Sequence, residues 1–280
     1  KFMSRGIVVL AQNSDTDYVK QAKLLALSLK VSNPKEKISL ITNHEVEDDA
    51  NLFDQIIPIP FEDQAKESDW KIENRWQIYH ASPYDETIVM DTDMVVLQDI
   101  SSWWKFLSNY NLYFVNNVYT YRGEVANTDY YRKTFVENDL PNVYAGFHYF
   151  KKCDFSLSFY KWLEYILNNW QKFYETYTPN SMQKRPSIDV SAAIAIKLLD
   201  IEDQVTNNVA RYPSFTHMKP NCQNWNKVTK SWLNNVGVYV NKDAEIKVGN
   251  FVQTGILHYT DNKFIETTSV YNKFKVKAYV

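Results

Sequence analysis

The 280-residue chain has a formal net charge of −2, and 45% of its residues are hydrophobic while 23% are charged. This balance is typical of a globular protein with a full core; it argues against binding driven by a strong positive field, as to nucleic acid or an anionic membrane, and the apolar runs are too short to span a bilayer. The two cysteines, Cys153 and Cys222, form no CxxC pair, and no signal peptide is evident, so we predict free thiols in a cytoplasmic protein without a zinc site.

The first hundred residues predict alternating strands and helices. Short apolar runs indicate buried strands, and apolar residues at every third or fourth position indicate helices. In chain order we predict a strand over 6–11, a helix over 15–33, strands over 37–42 and 53–60, a helix over 71–82 and a strand over 87–97. This alternation is typical of a parallel α/β sheet, in which ligands bind beyond the carboxyl ends of the strands.

The second part of the chain is richer in aromatic residues and Asn. It predicts strands over 111–117 and 145–152 and helices over 157–177 and 189–201. A loop over 212–225, which contains His217, follows the last of these helices; it either covers a donor site or contacts an acceptor, or it is an ordinary surface connection. Because the sequence contains no repeat and no flexible linker, we predict one compact domain over 1–280.

Two carboxylates, Asp91 and Asp93, interrupt the apolar run "IVMDTDMVV". Burying an ionised carboxylate without a partner costs several kcal/mol. Residues two apart in a strand point to the same side, so the two groups are expected to converge at the end of a parallel strand, where their oxygens suit a hard divalent cation. The alternative is a strand end with two solvated aspartates, because a D-x-D pattern is short and common.

Longer segments around this pair resemble a known family. The stretch "RWQIYHASPYDETIVMDTDMVVLQDI", with "IVVLAQNSDTDYVKQAKLLALSL" near the N-terminus and "GILHYTDNK" near the C-terminus, resembles the glycogenin-like family of retaining, metal-dependent glycosyltransferases. The resemblance implies the GT-A fold, a Rossmann-like α/β architecture with a central, mostly parallel mixed sheet flanked by helices. It also implies a nucleotide-sugar-binding half over 1–100 and an acceptor-binding half with the C-terminal metal ligand over 101–280.

The same resemblance implies an activity and a set of site residues. The activity is transfer of a hexose from a UDP-sugar to a hydroxyl acceptor, which is a glycan, a protein or another molecule, with retention of configuration. The metal would be Mn²⁺ or Mg²⁺, and an imidazole ligand favours the transition ion. The metal ligands would be Asp91, Asp93 and His258. The donor-binding residues would be Ala11, Gln12, Tyr18 (stacked on the uracil), Arg75, Asp91, Thr92, Asp93 and Lys263. The residues near the transferred sugar would be Asp189 and Arg75.

Each of these roles has a simpler alternative. His258 is otherwise a core histidine, Tyr18 a packing residue, Arg75 a solvated charge, and Asp189 the N-cap of the following helix. Asp17 and Gln12 are the polar residues that we expect to select the base.

The sequence also departs from the family pattern. The residues after His258 read "YTDNKF" where the family has a Gly and then Lys-Pro, which shifts Lys263 by one position. Tyr144-Ala145-Gly146 replaces an Asn-Ser-Gly stretch, and Val190 follows Asp189 where Gln is common. Two rival functions therefore stay open. One is a catalytically altered carbohydrate-binding or scaffold protein on the same fold. The other is a sugar-nucleotidyltransferase, although the Gly-rich phosphate loop of that class is missing from "LAQNSDTDYVKQ".

Overall fold

The structure is a computed structural model that describes residues 3–47, 51–68, 71–126, 131–219 and 231–279. The strands are β1 (Arg5–Leu10), β2 (Ile38–Ile41), β3 (Gln55–Ile57), β4 (Glu86–Met90), β5 (Met94–Val96), β6 (Leu112–Val115), β7 (Tyr144–Lys151), β8 (Thr216–His217), β9 (Val238–Val240), β10 (Ile246–Val248), β11 (Phe251–Val252) and β12 (Ile256–His258). The helices are α1 (Tyr18–Ser32), α2 (Ile78–Ala81), α3 (Trp103–Leu107), α4 (Lys133–Glu137), α5 (Asp154–Asn168), α6 (Trp170–Tyr177), α7 (Ile188–Leu199), α8 (Glu202–Val205), α9 (Phe264–Thr267) and α10 (Val270–Ala278), with 3₁₀ turns at Arg75–Gln77 and Trp232–Asn234.

A mixed sheet lies at the centre of the fold. Within the described ranges it has six strands in the order β3-β2-β1-β4-β7-β6. Within this sheet, β1, β2, β3 and β4 pair in parallel, whereas β7 pairs antiparallel with both β4 and β6. The predicted α/β class with a mostly parallel mixed sheet is therefore confirmed, and strands from both parts of the chain share one sheet.

The sheet is buried on both faces. In β1, Ile7 and Val9 enter one hydrophobic core, and Val8 and Leu10 enter the other. This is the two-residue periodicity of a strand, and the continuous apolar run is what a doubly covered parallel strand requires. Helices α1 and α10 pack together over the first face, and α5 and α7 pack together over the second. The carboxyl ends of β1 and β4 stay open between these layers.

A second, small sheet brings the C-terminal part of the chain to this open edge. Strand β12 lies in its middle, antiparallel to β5 and parallel to β8. Its register sets His258 opposite Met94 on one side and beside His217 on the other. A third sheet, β11-β10-β9, is antiparallel. No helix in the described part of the chain is long and apolar enough to cross a membrane.

Three predicted elements differ from the structure. The strand predicted over 87–97 is split into β4 and β5, which belong to different sheets. The helix predicted over 71–82 is a 3₁₀ turn followed by the short α2. The helix predicted over 157–177 breaks at Asn169, whose backbone leaves the helical region (φ −129°, ψ 28°) and whose side-chain amide donates to the Tyr165 carbonyl at 2.9 Å. Asn competes for backbone groups in this way at helix ends.

The expected loop over 212–225 is also partly a strand, because it contains β8. Its last residues, which include Cys222, lie outside the described residues.

Candidate functional site

The D-T-D segment is the connection between β4 and β5. The backbone N–H of Asp91 donates to the Gly146 carbonyl of β7 at 2.9 Å, which continues the pairing of β4 for one residue. The Thr92 hydroxyl donates to Gln21 of α1 at 2.8 Å and is buried. The middle residue is thus held inward while the two flanking carboxylates face the open edge of the sheet. The split of the predicted strand is what lets both acidic groups leave the core.

His258 reaches the same place from the end of β12. The backbone N–H of Tyr259 donates to the Asp93 carbonyl at 3.0 Å, so the two segments are joined directly. The Nε2 atom of His258 lies 3.0 Å from an oxygen of Asp93 and 3.9 Å from an oxygen of Asp91. One ligand atom from each of the three residues lies within 4.8 Å of the others. The structure therefore brings together the three residues expected to bind a metal.

Arg75 balances part of the acidic charge. Its guanidinium donates to Asp91 at 2.5 Å, and its side chain is 10% exposed against 22% for the aspartate. A buried ion pair of this kind needs both partners, because either group alone would be left charged and poorly solvated. The solvated-surface alternative for Arg75 is therefore wrong. In this structure Arg75 pairs with Asp91 and His258 pairs with Asp93, so each carboxylate has a basic partner from the protein itself.

Asp93 and His258 form the second pair. Burial by itself raises the pKa of Asp93, but the charge and hydrogen bond of His258, helped by Arg75, hold that pKa below its usual value. Burial likewise lowers the pKa of His258, yet Asp93 and then Asp91 outweigh it and leave the pKa raised. Both shifts favour the charged forms of the two groups. A metal ligand must be deprotonated, so a cation would displace the Nε2 proton.

The chemistry of these side chains fits a divalent cation. Two carboxylates and one imidazole make a mixed oxygen and nitrogen donor set, which suits Mn²⁺ better than the all-oxygen shell preferred by Mg²⁺. Three protein ligands also leave coordination positions for other oxygens, such as those of a phosphate.

A cavity of 950 Å³ opens above the three residues. Among the described residues, its lining includes the predicted Gln12, Tyr18, Arg75, Thr92, Asp189 and Lys263, but not Ala11, which is fully buried directly after β1. Cationic side chains are also common in the lining: Lys71, Arg75, Lys184, Arg185, Lys219 and Lys263. A cavity with acidic ligands at its floor and cations around them suits a ligand that carries phosphates and brings a metal with it.

Gln12 and Asp17 were both expected to select the base, but only Gln12 lines the cavity. The Gln12 side chain lines the cavity but is fixed, donating to Asp63 at 2.9 Å and accepting from Asn74 at 2.7 Å. Asp17 instead caps α1 by accepting from the Lys20 N–H at 2.9 Å, and it does not line the cavity. Asp63 was not singled out from the sequence. Burial raises its pKa, but four hydrogen bonds outweigh this and lower it, so it is an anion that fixes the amides.

Tyr18 lies in the cavity wall at the start of α1. Its side chain is half-buried, and burial followed by the charge of Asp93 raises the pKa of its hydroxyl. The ring is therefore neutral and offers a face to a planar ligand beside the acidic residues. Stacking on such a ring is tolerant of the base.

Asp189 lines the cavity from the first turn of α7. Ser187 is the N-cap, so the alternative that Asp189 caps its own helix is wrong. Its two oxygens are both engaged. One accepts the Ala145 N–H at 2.8 Å, and the other accepts from Arg132 at 2.6 Å. Adjacent residues of β7 therefore connect the two aspartates. Ala145 donates to Asp189, and the carbonyl of Gly146 accepts from the Asp91 N–H.

Arg132 was missed by sequence reasoning. It is buried, its guanidinium also donates to Asn142 at 2.8 Å and to the Val143 carbonyl, and it lies 4.1 Å from the ring centre of Tyr144. In the sequence it stands in the polar run "DYYRKTFVEND", which resembles a solvated surface, and its partner Asp189 is far away along the chain. The Lys184-Arg185 pair was missed too. Two adjacent cationic residues just before the helix that carries Asp189 are a sequence feature that could have indicated them.

His217, expected in a loop, is a buried strand residue beside the site. Its ring centre lies 4.7 Å from that of His258, and it meets Tyr144 edge to face. Burial, and then the charges of His258 and Lys219, hold the pKa of His217 well below its usual value, so its imidazole is neutral. It lines the cavity next to the candidate metal ligands.

Gly146 permits the close approach of β7 to Asp91. A Cβ atom at this position would lie 2.6 Å from an Asp91 carboxylate oxygen and 3.3 Å from its Cγ. We expect Gly146→Ala to displace that carboxylate, to weaken Mn²⁺ binding at least about tenfold, and to cost about 1–3 kcal/mol of stability. Calorimetric titration with Mn²⁺ and denaturant unfolding measure the two effects.

Gly237→Ala is the matched control for this substitution, because a Cβ there meets nothing within 4 Å. Equal Mn²⁺ affinity in the two alanine variants would show that the carboxylate position does not depend on Gly146.

Comparison with known proteins supports the fold. No protein-family model matches the chain, and no curated protein matches it. Among solved structures, the apo bifunctional glycosyltransferase WbbM matches with 13% identity and a TM-score of 0.52, covering 99% of this chain and 50% of that one. An active-site mutant of LgtC matches with 12% identity and a TM-score of 0.50, covering 97% and 95%. Apo GlyE from Streptococcus pneumoniae TIGR4 matches with 17% identity and a TM-score of 0.40, covering 73% and 45%.

The likenesses to WbbM and to the LgtC mutant show the fold. The chain has the mixed α/β architecture of GT-A glycosyltransferase structures, and it spans about half the length of the WbbM and GlyE chains. At such low identity the comparisons identify no particular family, so the glycogenin-like family stays a prediction.

Proposed function

We propose that this protein is a glycosyltransferase that moves a hexose from a UDP-sugar to a hydroxyl acceptor, with retention of configuration and dependence on Mn²⁺. The observation that carries the proposal is the convergence of Asp91, Asp93 and His258 at the floor of a large, cation-lined cavity. The shared fold with glycosyltransferase structures supports it. The glycogenin-like family and a single domain over 1–280 are parts of the same proposal.

The charged side chains around the cavity suggest a role for each of them in binding the donor. A divalent cation held by the Asp-Asp-His residues would supply positive charge to a leaving diphosphate. Lys263, exposed in the cavity wall just before α9, adds positive charge that a diphosphate requires. Arg75 orients Asp91 through their ion pair and faces the same space. Most of the rate enhancement would come from positioning and fixed charge rather than from covalent chemistry.

The surroundings of Asp189 support transfer on one face of the sugar. Because both its oxygens already accept hydrogen bonds, and because it lies in the first turn of a helix, its anion is stabilised and is a weak nucleophile. We therefore favour attack by the acceptor hydroxyl from the side that the diphosphate leaves. The bond from the anomeric carbon to the phosphate oxygen breaks, the bond to the acceptor oxygen forms, and the hydroxyl proton passes to a phosphate oxygen. Asp189 orients the sugar.

A ligand panel tests the donor. UDP-sugars with Mn²⁺ are expected to raise the unfolding free energy by about 2.7 kcal/mol at roughly a hundred times Kd. GDP-, ADP- and dTDP-sugars are expected to stabilise less, because the fixed Gln12 amide lines the same cavity as Tyr18 and presents one set of polar groups to the base. Thermal unfolding with and without Mn²⁺ measures this. Equal stabilisation by GDP-sugars would refute the choice of UDP.

Turnover assays followed by NMR separate the rival functions; one mixture contains UDP-sugar and a hydroxyl acceptor, and the other contains a sugar phosphate and a nucleoside triphosphate. Release of UDP together with a new glycoside is the transferase result. Sugar binding without turnover would indicate a catalytically altered binding protein. Formation of a nucleotide sugar from a sugar phosphate and a nucleoside triphosphate would indicate a nucleotidyltransferase.

A further inference from the structure

A second groove lies behind the wall of the candidate site. It has a volume of 340 Å³, which is within the range of small-ligand sites, about 300–1,000 Å³. Its lining includes Arg122, Arg211, Tyr212, Phe215, Phe251 and Gln253. Nothing in the proposed transfer reaction uses it.

The wall between the groove and the candidate site is a single side chain thick. Phe215 lines both cavities, and its ring centre lies 5.6 Å from that of His258 and 5.7 Å from that of His217. The backbone of Tyr119 fastens this wall, because its N–H donates to the Phe215 carbonyl at 3.0 Å and its carbonyl accepts from His217 at 2.9 Å. The two cavities are therefore direct neighbours, and a ligand long enough to pass around the Phe215 side chain would occupy both.

The groove combines exposed rings with fixed hydrogen-bonding groups. Tyr212 is 56% exposed and Phe251 is 43% exposed, so both rings are accessible to a ligand in the groove. Gln253 donates to the carbonyls of Tyr121 at 2.9 Å and of Phe251 at 3.0 Å, so its amide is fixed with the oxygen as an acceptor. Aromatic faces beside a fixed amide suit a ligand with alternating apolar and hydroxyl-bearing surfaces, as a sugar ring has.

The charge of the groove is one-sided. Arg122 and Arg211 both line it, and among the described residues no carboxylate does. The Arg122 guanidinium lies 5.3 Å from the Tyr121 ring centre, and its Nε donates to the hydroxyl of that tyrosine at 3.1 Å, so its position is held by a neighbouring aromatic residue. Arginine is suited to the planar, bidentate recognition of a carboxylate. In a protein of net charge −2, this local excess indicates an anionic ligand.

We propose that this groove binds an anionic, carboxylate-bearing sugar chain, as the extension of the acceptor whose hydroxyl end enters the main cavity. Its role as part of an acceptor rests on the proposed function, whereas binding of the sugar chain does not. Arg122 and Arg211 bind the carboxylates, and the rings of Tyr212 and Phe251 pack on the sugar faces.

The test uses trigalacturonate as the anionic probe and maltotriose as the neutral one, with calorimetric titration of the full chain in the absence of nucleotide and metal. Trigalacturonate is expected to bind and maltotriose to bind at least about tenfold more weakly. Arg211→Gln is expected to weaken trigalacturonate binding about tenfold or more, the loss of one charge-assisted hydrogen bond. Phe251→Ala, at an exposed ring, is expected to weaken it roughly three- to tenfold.

Lys161→Gln removes an exposed positive charge on α5, outside the groove, and is the matched control. Equal affinity for the two trisaccharides, unchanged affinity in Arg211→Gln, an equal loss in Lys161→Gln, or equally tight binding of inorganic sulfate would each overturn the proposal. Because no nucleotide or metal is present, failure of UDP-sugar turnover would refute the transferase function and leave this binding result standing.

Discussion

Replacement of Asp93 by Asn is expected to abolish Mn²⁺-dependent binding of UDP while leaving the protein folded. The substitution removes one of three ligands and the partner that holds His258 in place at 3.0 Å. Without Asp93, His258 loses the largest contribution that raises its pKa, so burial favours the neutral imidazole, which a buried site tolerates. At 100 times the wild-type Kd, about 2.7 kcal/mol of ligand stabilisation is expected to disappear.

Asp91→Asn is expected to have the same effect on nucleotide binding and a larger effect on stability. It leaves the buried Arg75 guanidinium without an anionic partner, although Asn still offers one oxygen acceptor. We therefore expect a loss of about 1–3 kcal/mol in the absence of ligand. His258→Ala is expected to weaken metal binding less, because two carboxylates remain.

Denaturant unfolding and calorimetric titration with Mn²⁺ and UDP measure both aspartate variants. Asp203→Asn, at an exposed carboxylate on α8, makes the same chemical change away from the cavity and is the matched control. Unchanged UDP affinity in both Asp91→Asn and Asp93→Asn would refute the assignment of these residues as metal ligands.

The parts of the fold that were predictable are those with a strong local period. The apolar run of β1 and the helical spacing of Ala22, Leu25 and Leu29 in α1 are local signals, and all these residues are buried as expected. The Asp91–Asp93 pair was predictable because two carboxylates inside an apolar run would be costly to bury without a partner, and this is visible from neighbouring residues alone. That β4 ends at Met90 was not, since Met94–Val96 reads as the same strand and only its pairing with β12 separates the two.

The parts of the site that were not predictable depend on distant pairing. His258 was assigned only through family resemblance, because "ILHYT" is also the pattern of a core strand, and its register opposite Met94 is a tertiary property. Arg132 had no signal at all. A charged residue in a polar run usually stays solvated, and only the fold shows that Asp189 and the Tyr144 ring enclose it.

Arg132 supplies an independent check on the role of Asp189. Arg132→Lys keeps the charge but loses the forked donor geometry, so it is expected to lower kcat while leaving the affinity for UDP unchanged. Arg132→Gln removes the ion pair and the packing on Tyr144 as well, and is expected to destabilise the fold by about 3–5 kcal/mol. A double-mutant cycle with Asp189→Asn separates positioning of the carboxylate from simple loss of packing, because only positioning predicts a coupling in kcat.

Asp189→Asn is expected to lower kcat about 10²–10³-fold without blocking UDP binding, the pattern of an interaction that is stronger in the transition state than in the bound substrate. The amide keeps the acceptor for the Ala145 N–H but loses the charge that faces Arg132, so the fold should survive while the orientation of the sugar suffers. Steady-state kinetics with an α-linked UDP-sugar measure the first effect, and product NMR measures the configuration. An α-linked product fits attack on the face that the diphosphate leaves. A β-linked product would mean inversion and overturn that mechanism. A sugar ester trapped on Asp189 would indicate a covalent route instead. That route would first require Asp189 to lose its hydrogen bonds from Ala145 and Arg132.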